Sequence, residues 1–236
     1  KTRIAIDDYE RIHYPVDAVI RPSIFVWGEK TIQNAKVFEG PEFIVVGEDA
    51  KKIRRDVEGD ALFISAGGGC NEGVLDVFCE AAFRAGVRKV FVVCGNSRKD
   101  ICRKAKYAHF SFYGMLSPTE YAEAASRASF ALTACGVSLS EMAHAGLPTV
   151  GVVLAEDQRL VGEGFYNAGF LGRVLEFDSR RIVDEIVDEL MLLMRDSALS
   201  EHRSLLGRSL VPGTGAVLMA DVVEKLSPQE TRGLMG

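Results

Sequence analysis

From about residue 60 the sequence alternates between short apolar runs rich in β-branched and aromatic residues and longer amphipathic segments, and few folds accept that alternation. "ALFISAG" (61–67) reads as a strand, "GVLDVFCEAAFRAG" (73–86) as a helix closed by Gly86, and "RKVFVVCG" (88–95) as the next strand. "SRKDICRKAKY" then "AHFSFYG", and "SPTEYAEAASRA" then "FALTACG", repeat the unit. Strands joined by single helices imply right-handed crossovers and a parallel, doubly wound α/β sheet of Rossmann type. After the strand "LPTVGVVL" (147–154) the reading continues with a helix near 157–170, a short strand "RVLEF" and a long helix over 179–196. Ile182, Ile186, Leu190 and Leu193 give that helix one apolar stripe. A last helix follows within 210–226, with Thr214 as its N-cap.

The first 58 residues differ. Strands are expected at "RIAID", "DAVIR" and "EFIVV", with too little helix to cover both faces of a parallel sheet. They read as the second part of an N-terminal lobe, so three stretches are expected: a partial N-terminal Rossmann-like lobe and linker (1–58), the main lobe with its C-terminal helices (59–226), and a tail (227–236). An incomplete lobe leaves edges and apolar surface open, so self-association or a partner chain is expected at residues 1–58.

A net charge of −5 over 236 residues gives no electrostatic footprint for nucleic acid, and no apolar run is long enough to span a membrane. The five cysteines form no C-x-x-C pair and read as reduced core residues of a cytoplasmic protein; the four histidines are scattered singly, so neither a metal nor a cofactor is assigned.

Ligands of an open α/β sheet bind at the C-terminal strand ends. The loop after the first main-lobe strand carries Gly67, Gly68 and Gly69, more glycine than a tight turn needs, which allows close approach to an anion or sugar. It has neither the P-loop lysine nor the dinucleotide spacing. Gly114, Met115 and Leu116 precede a helix whose Ser117, Pro118 and Glu120 form a capping box, and local pattern alone makes this a structural loop. "TACGVSLSEM" runs from a strand through Gly136 into a short helix ending at Gly146, so Gly136, Val137 and Ser138 would aim free N–H groups at a diphosphate. Glu141 has two readings of equal weight: it closes a capping box with Ser138, or its carboxylate receives a pair of ribose hydroxyls. Asp157 and Gln158, at the next strand end, suit sugar hydroxyls or a bland loop equally.

At these loops the sequence resembles nucleotide-sugar enzymes of the GT-B fold. "CGVSLSEMAHAGLPTVGV" followed by "DQ" is similar to the donor-binding lobe of the enzyme that adds N-acetylglucosamine to the peptidoglycan lipid precursor. It is more similar to the UDP-sugar hydrolase of pseudaminic acid biosynthesis and its spore-coat-polysaccharide relatives, a likeness that extends to "IDDYERIHYPVDAVIRPS" and "GPEFIVV". The resemblance implies UDP or a UDP-sugar as ligand, with Gly136 to Ser138 at the diphosphate, Glu141 at the ribose, Gly114 to Leu116 at the uracil, and Asp157 with Gln158 at the sugar. It implies release of UDP by water attack, in surface polysaccharide or nonulosonic acid biosynthesis; a GT-B glycosyltransferase or a non-catalytic binding module are the alternatives. The family's glycine-histidine loop, which activates water, has no counterpart in these residues, and "GGGCNEG" departs from its usual loop. His13 falls elsewhere in the pattern, which leaves Asp7 and Asp8, at a strand end facing the expected cleft, as the candidates for substrate contact.

Overall fold

The computed structural model describes residues 2–7, 15–25, 35–67, 72–95 and 104–227. Asp8, His13, Gly68, Gly69, most of the helix expected over 97–107 and nearly all of the tail lie outside the described residues.

Two separate parallel sheets organise the chain. The first holds β1 (Ile4–Ile6), β2 (Ala18–Arg21) and β3 (Lys36–Glu39) in that order. The second holds β4 (Leu62–Ser65), β5 (Val90–Val93), β6 (Phe110–Tyr113), β7 (Phe130–Ala134), β8 (Thr149–Val153) and β9 (Leu175–Glu176), in the spatial order β6-β5-β4-β7-β8-β9. That order starts in the middle, runs to one edge, returns and runs to the other. Strand order therefore reverses between β4 and β7, whose ends lie side by side with Ser65 opposite Thr133. In doubly wound sheets such a reversal opens the ligand crevice.

The central strands are buried along their whole length, as their near-continuous apolar sequences require of a sheet covered on both faces. On one face lie α1 (Glu72–Arg84) and α5 (Ile182–Arg195), joined through Leu75, Phe78, Ile186 and Leu190. The other face is covered by α2 (Pro118–Ser126), α3 (Val137–Ala145) and α4 (Arg159–Asn167), which contribute Ala125, Leu139, Met142 and Phe165 to the second core cluster. Next, α6 (Ser197–Leu210) lies on α3 so closely that a Cβ on Gly207 would fall 2.7 Å from the Ala143 carbonyl oxygen. Finally α7 (Gly215–Leu226) returns to the first sheet, where Met219 and Val222 pack with Ile20 and Phe43.

The structure differs from the expected elements in one strand, one additional helix and the detail of one cap. "EFIVV" is not a strand; the third strand is Lys36–Glu39, and Pro41–Phe43 forms a 3-10 turn before an extended crossing that buries Ile44 and Val46 in the main lobe. Gly40, at φ 149, and Pro41, which has no N–H to offer a ladder, break the strand there. A helix at 197–210 was not expected, because its buried positions include Ser200, Arg203, Ser204 and Gly207 rather than an apolar stripe. Thr214 does occupy the N-cap of α7, but its side chain makes no cap bond; Gly215 instead lets the helix start close against the Phe43 and Ile44 carbonyls.

Candidate functional site

A cleft of about 350 Å³ lies between the two sheets. Ile6, Pro22, Ile24 and Val45 wall it on one side, and Gly136, Val137 and Ser140 on the other. Gly136 follows the end of β7 and is the N-cap of α3, with no side-chain cap bond. The helix thus begins with a bare backbone, and the N–H groups of its first turn lack intrahelical acceptors apart from Leu139, which bonds back to the Gly136 carbonyl at 3.1 Å. The positive end of the helix dipole faces the same way.

This start removes one of the two readings of Glu141, the capping box. With the N-cap at Gly136, Ser138 lies inside the first turn and forms no capping box with Glu141. The carboxylate has no hydrogen-bond or ion-pair partner among the described residues, and burial alone raises its pKa above the ordinary 4.5. Spacings of three and four residues put Glu141 on the helix face that carries Ser138 and Val137. An acid held partly out of water with nothing to accept from is a waiting acceptor for donors such as hydroxyls. The capping box expected at Ser117 and Glu120 is present in full: Ser117 Oγ accepts from Glu120 N–H, and the Glu120 carboxylate accepts from Ser117 N–H at 2.8 Å.

Of the described candidate residues, Gly136 and Val137 line the cleft; the others, Ser138 and Glu141 included, do not. Gln158 uses its Oε1 to accept from Leu154 N–H at 3.1 Å, which leaves its Nε2 within 3.8 Å of where a Cβ on Gly136 would stand. Asp157 is exposed on the same 3-10 turn. Gly67, at φ 84, begins the glycine loop beyond β4, where a side chain would be strained. Met115 is 67% exposed, whereas Leu116 packs under α2. Asp7 is buried at the end of β1, its N–H bonded to the Ile20 carbonyl at 2.9 Å, and its neighbour Ile6 lines the cleft instead.

Two residues were not foreseen from the sequence. Ser140 sits one turn inside α3 on the cleft wall. Tyr121, from α2, donates from its hydroxyl to Ser138 Oγ at 3.2 Å, is also hydrogen-bonded to Ser65, and stands edge-on to Phe63 with ring centroids 5.1 Å apart. Burial raises its pKa first, its hydrogen bonds to Ser138 and Ser65 oppose that, and Glu141 adds to it. One phenol of α2 thus ties the end of β4 at Ser65 to the first turn of α3 at Ser138. Among the described residues no group of three His, Cys, Asp or Glu side chains could hold a metal, and no helix is long and apolar enough to cross a membrane.

No family model matches the chain, and no curated protein matches its sequence. Solved structures do match. UGT2 of Phytolacca americana, in complex with UDP-2-fluoroglucose and pterostilbene, superposes on 89% of this chain with a TM-score of 0.62 at 18% identity. MurG of Acinetobacter baumannii covers 89% with a TM-score of 0.61 at 15% identity, and the glycotransferase of kitacinnamycin 89% with 0.63 at 16%. The fold is that of the GT-B glycosyltransferases. This chain spans 54%, 66% and 55% of those three chains, in the order given. The cleft at Gly136 therefore lies between the doubly wound lobe of a GT-B fold and part of the other lobe.

Proposed function

We propose that this chain binds UDP or a UDP-sugar at the start of α3 and supplies the donor-binding half of a nucleotide-sugar enzyme. The observation that carries this reading is Glu141, a partnerless, partly desolvated carboxylate beside a glycine-capped helix N-terminus at the strand-order reversal. In this reading the first-turn N–H groups of Gly136, Val137 and Ser138 hold the diphosphate, and Glu141 accepts from the ribose hydroxyls. Gly114, Met115 and Leu116 meet the uracil, Asp157 and Gln158 meet the sugar, and the backbone at Gly67 comes close to the ligand. Helix-end donors of this kind stabilise charge on a departing diphosphate, which is what either water attack or transfer to an acceptor requires.

Between those two reactions, transfer has the structural neighbours on its side: UGT2 of Phytolacca americana was solved with a sugar-donor analogue and pterostilbene together. The sequence resemblance favours hydrolysis, in surface polysaccharide or nonulosonic acid biosynthesis. Calorimetric titration with UDP tests the shared claim. Binding that Glu141→Ala weakens about thirtyfold, the equivalent of about 2 kcal/mol for hydrogen bonds to a charged group, supports it. Failure of the wild-type chain to bind any nucleoside diphosphate would remove it.

A further inference from the structure

A second cavity, of about 290 Å³, lies at the opposite end of α3 from Gly136. Four of its lining side chains are basic, Lys51, Arg54, His144 and Arg208, and among the described residues no acidic side chain lines it. They come from three separated stretches of sequence, so the fold, rather than a charge run, gathers them.

Much of this cluster is held in place. Arg54 Nη1 donates to the carbonyls of Lys51 and Ile53 at 2.8 Å each, and His144 Nδ1 lies 2.8 Å from the Val211 carbonyl oxygen. Lys51 Nζ pairs with Glu48 at 2.6 Å, while Arg208 has no hydrogen bond or ion pair among the described residues. Two glycines in the left-handed region leave room for it. A Cβ on Gly146 would fall 2.2 Å from Arg208 Nε, and one on Gly213 would fall 2.6 Å from His144 Cε1.

Basic groups at a helix C-terminus commonly offset its dipole. Here internal donors already serve that end: Gly146 and Leu147 N–H bond the Ala143 and Met142 carbonyls at 2.9 Å, and Ser204 donates to the Gly146 carbonyl at 2.6 Å. Arg208 instead crowds positive charge. The nearby Arg55 is held below its ordinary value mainly by burial, which its pairing with Glu201 partly offsets, and repulsion from Arg208 adds a smaller effect in the same direction as burial. Lys51 has Glu48 as its counter-charge, but Arg54 and Arg208 have no acidic partner among the described residues, and their convergence is unfavourable without one.

We propose that this cavity is an anion site distinct from the cleft at Gly136, for a small, multiply charged oxyanion of the phosphate type. Guanidinium forks match phosphate oxygens in geometry and charge. The compact cavity suits a small phosphorylated molecule, unlike the extended basic stripe that nucleic acid needs. Arg54 and Arg208 are exposed, so binding weakens as salt rises.

The test is calorimetric titration of the full chain with inorganic pyrophosphate at low ionic strength, in wild type, Arg208→Ala, Arg208→Glu and Gly136→Asp. A Cβ at Gly136 meets nothing nearer than Gln158 Nε2 at 3.8 Å, so Gly136→Asp sets a carboxylate at the cleft without crowding the fold. The expected result is a pyrophosphate site that survives Gly136→Asp, weakens about tenfold in Arg208→Ala and disappears in Arg208→Glu, with thermal stability unchanged. Binding that Gly136→Asp abolishes and Arg208→Glu leaves intact would overturn the proposal, as would absence of binding to the wild-type chain.

Discussion

Glu141 and Tyr121 are the two residues whose surroundings say most about the cleft. Burial raises Glu141 above 4.5, so its neutral form favours the folded chain: that contribution is complete below 4.5 and is lost as pH rises through the raised folded value. Glu141→Gln should therefore stabilise the unliganded protein near neutral pH and flatten this part of its stability profile, as thermal melts across pH would show. Nucleotide affinity should run the other way, falling in wild type as acid protonates the carboxylate that accepts the ribose hydroxyls. Tyr121→Phe keeps the ring on Phe63 but removes the donor to Ser138. The expected cost is about 1 kcal/mol, or about fivefold in UDP affinity, and the effect should vanish in a Ser138→Ala background if the phenol acts through that serine.

At the scale of elements, α3 and α6 form the tightest helix contact at the site's back. Gly207→Ala would press a methyl against the Ala143 carbonyl and should destabilise the protein by about 2 kcal/mol in denaturant unfolding, with a matching shift at the start of α3. The pattern of residues made most elements legible, since β4 to β8 and α1 to α5 declare themselves through apolar period and through caps such as Ser117 with Glu120. What stayed hidden had a physical reason in each case. The α6 helix buries Ser200 and Ser204 by donating their hydroxyls to the Leu193 and Gly146 carbonyls, so its buried face does not look apolar. Glu141 was ambiguous because a helix beginning at Val137 and one beginning two residues later have the same local sequence. Tyr121 gives no local signal because Ser138, its partner, is seventeen residues away and meets it only where α2 and α3 pack side by side on one face of the sheet.

Over the whole molecule, the first sheet depends on the rest for cover. Its core is shared with α7 through Met219 and Val222, and Thr2 Oγ1 donates to the Leu226 carbonyl at 2.8 Å. Among the described residues β1 and β3 keep open edges, with Ile6 62% and Val37 41% exposed. Self-association through this region is expected from light scattering at rising concentration, and a monomer at all concentrations would count against it. In the proposed complex a nucleotide lies across the strand-order reversal with its ribose on Glu141. Comparing UDP with its 2′,3′-dideoxy analogue by calorimetry, in wild type and in Glu141→Ala, tests it most directly. Wild type should prefer UDP by about tenfold or more, and the variant should bind both alike. An equal preference for UDP in both proteins would place the ribose elsewhere and contradict it.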